Sequence, residues 1–272
     1  MMVLSGCNTD TSSDSITQSS LDPDVPPILN GNWYQPAVGT TWQWQLKNTV
    51  DTSYDVEMYD IDLNDSPVSL IQELQASGKK VICYFSAGSY EDWRSDANQF
   101  AASDLGANLD GWPGERWLDI RSSNVHSIMQ SRLDLAQQKG CDGVEPDNMD
   151  GYSNDSGFDL TATDQLAYNR FIANEAHKRD LSVGLKNDLA QINNLVDYFD
   201  FILNEQCFEY SECNILTAFI NQGKAAFNVE YLQEYVDSAT ARDSICQQSN
   251  TLQISTLVLP LLLDNQFRYS CL

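Results

Sequence analysis

Positive charge is scarce in this chain. Its 272 residues carry 15 lysines and arginines against 39 aspartates and glutamates, a formal charge of −24. Such a field repels a phosphate backbone or an anionic bilayer surface, which excludes nucleic-acid binding as a function class. Long apolar runs are missing too. A membrane helix needs roughly 18 to 20 apolar residues, whereas the longest run, Leu257-Val-Leu-Pro-Leu-Leu-Leu263, is strand-sized and holds a proline. There are only two histidines, His126 and His177, both in segments that read as helices, and no Cys-x-x-Cys pair. No metal site and no cofactor are therefore expected. A Gly-x-Gly-x-x-Gly turn is also absent, which argues against a nucleotide-binding doubly wound sheet. The hydrophobic content of 42% is nonetheless enough to bury a substantial core, which excludes a disordered protein. The acidity has two readings: solubility of an exported protein, or a groove lined with carboxylates for a cationic ligand.

The chain starts Met1-Met-Val-Leu-Ser-Gly-Cys7, in which Leu4-Ser5-Gly6-Cys7 is similar to the box cleaved just before a lipid-modified cysteine. Lipidation at Cys7 is accordingly expected, although the basic and long apolar parts of such a signal do not precede it. Residues 8 to 32 are rich in Ser, Thr, Asp, Asn and Pro, the composition of a flexible spacer, so residues 1–32 are predicted to be signal remnant and linker. These features place the protein outside the cytoplasm, either secreted or held on the cell envelope through the lipid alone. Setting Cys7 aside leaves six cysteines, and export favours disulfides. Cys207 and Cys213 are predicted to pair across a short loop. Cys246 and Cys271 are a second possible pair. Cys83 and Cys141, in or beside apolar strand-like runs, read as buried free thiols.

From Trp33 onward, short β-type runs alternate with helical patterns. The runs are 56–62, 80–86, 116–120, 143–145, 182–186, 201–205, 225–230 and 252–262. Between them apolar residues recur at three- and four-residue steps, as in Val68, Ile71 and Leu74, or Val125, Ile128, Met129 and Leu133. Eight β/α units over residues 33–272 predict a single-domain α/β fold, a (β/α)₈ TIM barrel, with a doubly wound sheet as the runner-up. The segment Trp33 to Leu46 is expected to cover the gap left by a missing eighth helix or to plug the barrel bottom.

Buried parallel strands are ordinarily continuous apolar runs, so carboxylates at their C-terminal ends need a reason. Asp60 and Asp62, Asp119, Glu145 and Asp147, Glu205 and Glu230 all occupy such ends, with Lys186 and Asn187 closing another. A barrel would collect them on the face where barrel enzymes keep their active sites. Two carboxylates flanking an anomeric carbon suffice for glycoside hydrolysis, and crowded acids beside a cation give them different proton affinities. The aromatic residues Tyr84, Trp93, Trp112, Tyr152, Phe208 and Tyr231 fall near the same face, placed either to stack on sugar rings or to pack.

The stretch Gly140-Cys-Asp-Gly-Val-Glu-Pro-Asp-Asn-Met-Asp-Gly-Tyr152 resembles the fourth-strand signature of glycoside hydrolase family 114, the endo-α-1,4-polygalactosaminidases. Thr40 to Leu46, Tyr84-Phe-Ser-Ala-Gly88, Gly184-Leu-Lys-Asn187 and Asn204-Glu-Gln-Cys207 are similar to further segments of that family. The resemblance implies cleavage of internal α-1,4 bonds in a galactosamine-containing, partly deacetylated and hence cationic polysaccharide. It also implies a catalytic pair at Asp147 and Glu205. A retaining mechanism would use Asp147 as nucleophile and Glu205 as acid and base, with Glu145 and Asp150 as competitors for the nucleophile's role. The substrate-binding set is then Asp60, Tyr84, Ser86, Glu145, Asn148, Asp150, Tyr152, Lys186, Asn187, Glu230 and Tyr231. The expected partner is the polysaccharide alone, bound by a monomer. Two alternatives remain open from the sequence: a carbohydrate-binding surface lipoprotein on a barrel scaffold, and a glycosidase of another specificity such as an α-galactosidase.

Overall fold

The structure, a computed structural model, describes residues 21–272; Cys7 and its expected lipidation lie outside them. Its frame is a curled nine-stranded sheet with helices packed outside, a mixed α/β fold. Eight strands run parallel: β1 (Trp42–Gln45), β2 (Met58–Asp62), β3 (Lys80–Ser86), then β7 (Gly143–Asp147), β8 (Ser182–Lys186), β9 (Phe201–Glu205), β10 (Ala225–Glu230) and β11 (Ser255–Val258). The short β12 (Tyr269–Ser270) pairs antiparallel with β11. Three further strands, β4 (Ser89–Glu91), β5 (Leu105–Asn108) and β6 (Glu115–Leu118), form a small antiparallel sheet between β3 and β7.

This arrangement corrects the segment count in two places. The run around Arg116–Ile120 is not a strand of the main sheet; it forms β6 of the small one, and Asp119 beyond it pairs with Arg121 at 2.8 Å. The missing parallel strand is β1, inside the segment predicted to cover or plug the barrel. Its Trp-Gln-Trp-Gln alternation suggests one wet face, yet all four residues are buried. The two glutamines are satisfied internally: Gln43 accepts from Arg268 and Gln45 bonds Lys47, Thr49 and Asp51. The sheet's two edges are tied together, since the Arg268 guanidinium just before β12 also donates to the Trp42 carbonyl at 2.9 Å, and the Trp42 indole donates to the Ser255 carbonyl of β11 at 2.9 Å.

Helices fill the outside. They are α1 (Val68–Ala76), α2 (Ser123–Lys139), α3 (Ala162–His177), α4 (Ile192–Leu195), α5 (Thr217–Ile220), α6 (Gln233–Asp237) and α7 (Ala239–Leu252). In α2, Val125, Ile128, Met129 and Leu133 are buried, as their spacing requires. Gly140 ends that helix in the left-handed conformation at φ 83°, so β7 can start three residues later. Part of the segment predicted as spacer lies on the fold: Ile28 N and Pro26 O bond the Asn174 side chain of α3, and Tyr198 donates to Val25 O. Trp33 stacks on His177 with ring centroids 4.0 Å apart and donates to Asp200.

Three disulfides are present. Cys207–Cys213 and Cys246–Cys271 match the sequence. Cys83 and Cys141 are bonded, contrary to the free thiols expected. The reason is register: β3 and β7 are neighbours, with Ile82 opposite Gly143, so Cys141 just ahead of β7 meets Cys83 although 58 positions separate them in sequence.

Candidate active site

The C-terminal ends of β1, β2, β3, β7, β8, β9 and β10 form one rim of the sheet, and the side chains there converge on Lys186. Its ammonium group lies 2.9 Å from Asp147 Oδ1, 3.2 Å from Glu205 Oε2 and 3.3 Å from Glu145 Oε1, and 4.9 Å from the centre of the Trp44 ring. The two nearest oxygens of Asp147 and Glu205 are therefore at most about 6 Å apart. Lys186 and Glu145 are only 2% and 0% exposed at their side chains, while Asp147 and Glu205 keep 19% and 26%. Only the latter two can touch a ligand.

Each of these two carboxylates is held by a tyrosine. Tyr84 donates to Asp147 Oδ2 at 2.9 Å, and Tyr231 donates to Glu205 Oε1 at 2.6 Å. Burial, and then the carboxylates themselves, push both phenols well above their ordinary pKa, so they remain donors. Asp147 also accepts from Asn148 N at 2.7 Å, and Glu205 Oε2 accepts from Asn187 at 3.2 Å. Asn187 is itself fixed by Asn204 Nδ2 and Glu205 N, both donating to its Oδ1 at 3.0 Å. Asn148 and Asn187 take positive φ, 61° and 51°, a conformation asparagine tolerates better than most residues. Burial opposes the charge on Lys186, but Asp147, Glu205 and Glu145 together outweigh it and hold the lysine pKa well above normal.

The remaining candidates divide. Asp150 stands beside this cluster; burial first, then Asp147, raises its pKa to about 6. Tyr152 reaches Asp188 at 3.3 Å. Asp60 is fully buried in the middle of β2, and burial raises its pKa to about 8. Ser86 does not face the rim; it shares hydrogen bonds with Ser89 and Asn148 in a buried network ending on Glu115. Glu230 is also turned away, accepting from Phe208 N at 2.8 Å and Asn228 at 3.0 Å, which anchors the loop after β9. Asp62 accepts a paired bond from Arg94 at 3.0 and 2.7 Å and is spent on structure. Three contributors were missed from sequence: Trp44, hidden in the misread β1; Asn204, visible only inside the Asn204-Glu-Gln-Cys207 match; and Asp188, which has no motif. Among the described residues no group of three or more His, Cys, Asp or Glu is arranged to hold a metal ion.

The model of glycoside hydrolase family GH114 matches residues 26–271. The crystal structure of Ega3 from Aspergillus fumigatus, in complex with galactosamine, is 46% identical, covers 88% of this chain and 97% of its own, and superposes with a TM-score of 0.84. The glycoside hydrolase domain of PelA from Pseudomonas aeruginosa shares the fold at 12% identity and a TM-score of 0.65, covering 83% of this chain and 96% of its own. No curated protein matches the sequence.

Proposed function

Because this chain belongs to glycoside hydrolase family GH114, and is on that ground a polygalactosaminidase-like glycoside hydrolase, we propose that it cleaves internal α-1,4 bonds of a galactosamine-containing polysaccharide with retention of configuration. The observation that carries this reading is Lys186, whose ammonium group sits between Asp147 and Glu205 and brings them within about 6 Å of each other. Inverting enzymes hold their carboxyls roughly 6.5 to 9.5 Å apart to admit a water, and retaining ones about 5 to 5.5 Å. The shorter spacing favours direct attack.

In the first step an Asp147 oxygen attacks the anomeric carbon, the glycosidic C–O bond breaks, and Glu205 gives its proton to the leaving oxygen. In the second step water attacks that carbon, returns a proton to Glu205 and frees Asp147. Lys186 offsets the negative charge of the resting cluster, and Tyr84 and Tyr231 orient the two carboxyls. Glu145 is a poorer nucleophile candidate, because its side chain is 0% exposed. The surplus of acidic groups, with Asp150 next to the pair, suits a substrate bearing ammonium groups, and the galactosamine bound to Ega3 supports that choice. The curled sheet with its tied edges supports a (β/α)₈ type of scaffold, and three disulfides fit an extracytoplasmic location, secreted or lipid-anchored at Cys7.

The test is Asp147→Asn and Glu205→Gln assayed on a partly de-N-acetylated α-1,4-galactosamine polymer. Both are expected to lose on the order of 10²- to 10⁴-fold in rate with the fold retained, and mass analysis of wild-type fragments should show internal cuts beside free amines. Wild-type rates in both variants would end this reading.

A further inference from the structure

The small antiparallel sheet inserted between β3 and β7 has no part in the chemistry above, yet a line of hydrogen bonds runs from it to the residue beside Asp147. Ser89 of β4 and Glu115 of β6 are buried, and so is Ser86, which ends β3 directly opposite Asp147. Ser86 Oγ receives Ser89 N at 3.0 Å and Asn148 Nδ2 at 2.9 Å. Those two donors use both of its lone pairs, so its own proton lies on the 2.7 Å contact with Ser89 Oγ. Ser89 Oγ therefore accepts from Ser86 and, at 3.2 Å, from Asn148 Nδ2, and its proton goes to Glu115 Oε2 at 2.8 Å. Every donor points the same way, from the Asn148 amide through two serines to a carboxylate that only accepts.

We propose that Ser89 and Glu115 are positioning residues: by terminating this network they fix the Asn148 side chain, hold its backbone in the left-handed conformation, and so keep Asn148 N on the Asp147 Oδ1 it meets at 2.7 Å. This role rests on the catalytic reading above, in which Asp147 is the nucleophile. Asn148 sits at φ 61°, a conformation that persists only where the surroundings enforce it. The backbone is clamped at the same place. Asp147 O accepts from Ala87 N at 2.9 Å and Gly88 N at 3.0 Å, and Leu118 N of β6 donates to Gly88 O at 2.9 Å. Gly88 packs so closely here that a β-carbon on it would stand 1.7 Å from Asn148 O, so the approach requires glycine. Glu115 lies opposite Glu91 in the β4–β6 pairing, and Arg94 holds Glu91 at 2.8 Å. Burial first, with Glu91 and Asp147 adding to it, raises the Glu115 pKa to about 7 against the Ser89 bond and Arg94; the remaining titratable neighbour, Tyr84 of β3, stays a neutral phenol. A carboxylate accepts more strongly than its neutral acid, so the network tightens as pH rises through that value.

The experiment uses the full chain with Ser89→Ala, which breaks the network in its middle, Glu115→Leu, which removes the terminal acceptor, and Glu115→Gln, which keeps an accepting carbonyl but cannot titrate. On the partly de-N-acetylated polymer, Ser89→Ala and Glu115→Leu are each expected to lower kcat about tenfold or more with KM nearly unchanged, and Glu115→Gln to stay within about threefold of wild type. The double variant Ser89→Ala/Glu115→Leu should be little slower than either single one, since both cut the same network. The Asn148 side-chain amide resonance, assigned by its loss in Asn148→Asp, gives a readout independent of substrate. In wild type it should show a shift centred near pH 7, and in Glu115→Gln that shift should be absent. Wild-type kcat in Ser89→Ala and Glu115→Leu overturns the proposal, as does a change confined to KM, Glu115→Gln as slow as Glu115→Leu, or a resonance that titrates alike with and without Glu115. Should Ser89→Ala not fold, the two Glu115 variants and the resonance decide. If Asp147→Asn and Glu205→Gln are inactive while Ser89→Ala turns over normally, this inference alone fails. If the first two stay active, the catalytic reading fails whatever the resonance shows.

Discussion

Asp188→Asn should make the protein more stable, by an amount that grows with pH. Asp188 follows Asn187 on the catalytic rim, is 4% exposed, and adopts φ 46°. Burial first, then the nearby Asp150, raises its pKa to about 8. In an unfolded chain the group ionises near about 3.9. A carboxyl whose folded pKa lies above its unfolded one binds its proton more tightly when folded. Its stabilising contribution is therefore complete below about pH 4 and is lost progressively as pH climbs to about 8. At about 1.36 kcal/mol per unit, roughly three units separate pH 7 from the unfolded pKa, so wild type forfeits about 4 kcal/mol there. An asparagine mimics the protonated acid: its carbonyl accepts the bond Asn169 now gives at 2.8 Å, and its amide faces Tyr152. It also tolerates the positive φ. Urea denaturation at pH 4.5 and pH 7.5 should show near-equal midpoints at the lower pH and a clearly higher midpoint for the variant at the upper one. A variant no more stable than wild type at pH 7.5, or a difference independent of pH, refutes the argument.

Two further outcomes follow from the covalent and hydrogen-bonded supports of the site. Removing Cys83–Cys141, which closes 58 positions, should cost about 4 kcal/mol, against about 2 kcal/mol for Cys207–Cys213, which closes 6; paired Cys→Ser variants in thermal melts would reverse that order if register strain and not chain entropy governs them. Tyr231→Phe deletes the 2.6 Å donor to Glu205, a bond to a potentially charged group worth about 1.5 to 3 kcal/mol. Steady-state kinetics should then show kcat reduced about tenfold or more with KM nearly unchanged, and an unaltered kcat would remove Tyr231 from the mechanism.

Much of the site was legible before any coordinates. Asp147, Lys186 and Glu205 announce themselves because each puts a charge at the end of an otherwise apolar run, and a chain cannot bury charge there without a use for it. Cys207 and Cys213 are only 6 positions apart, so closing the loop between them costs little chain entropy. By contrast, β1 was misread because Gln43 and Gln45 look like a wet face, and only partners more than 200 positions away, such as Arg268, make Gln43 dry. The run at Arg116–Ile120 has the right length and composition for a central strand, and nothing local says that its neighbours are Ser89–Glu91 and Leu105–Asn108.

By itself the sequence determined the class of chemistry and the alternation of strands and helices, since both arise from side-chain polarity at short spacing, which adjacent residues carry with them. Tertiary structure alone decided which carboxylates share Lys186 and which are spent elsewhere, Asp62 on Arg94 and Glu230 on Phe208. It alone joined Cys83 to Cys141. Strand register fixes such encounters, and a carboxylate's proton affinity depends on what lies within a few ångströms in space.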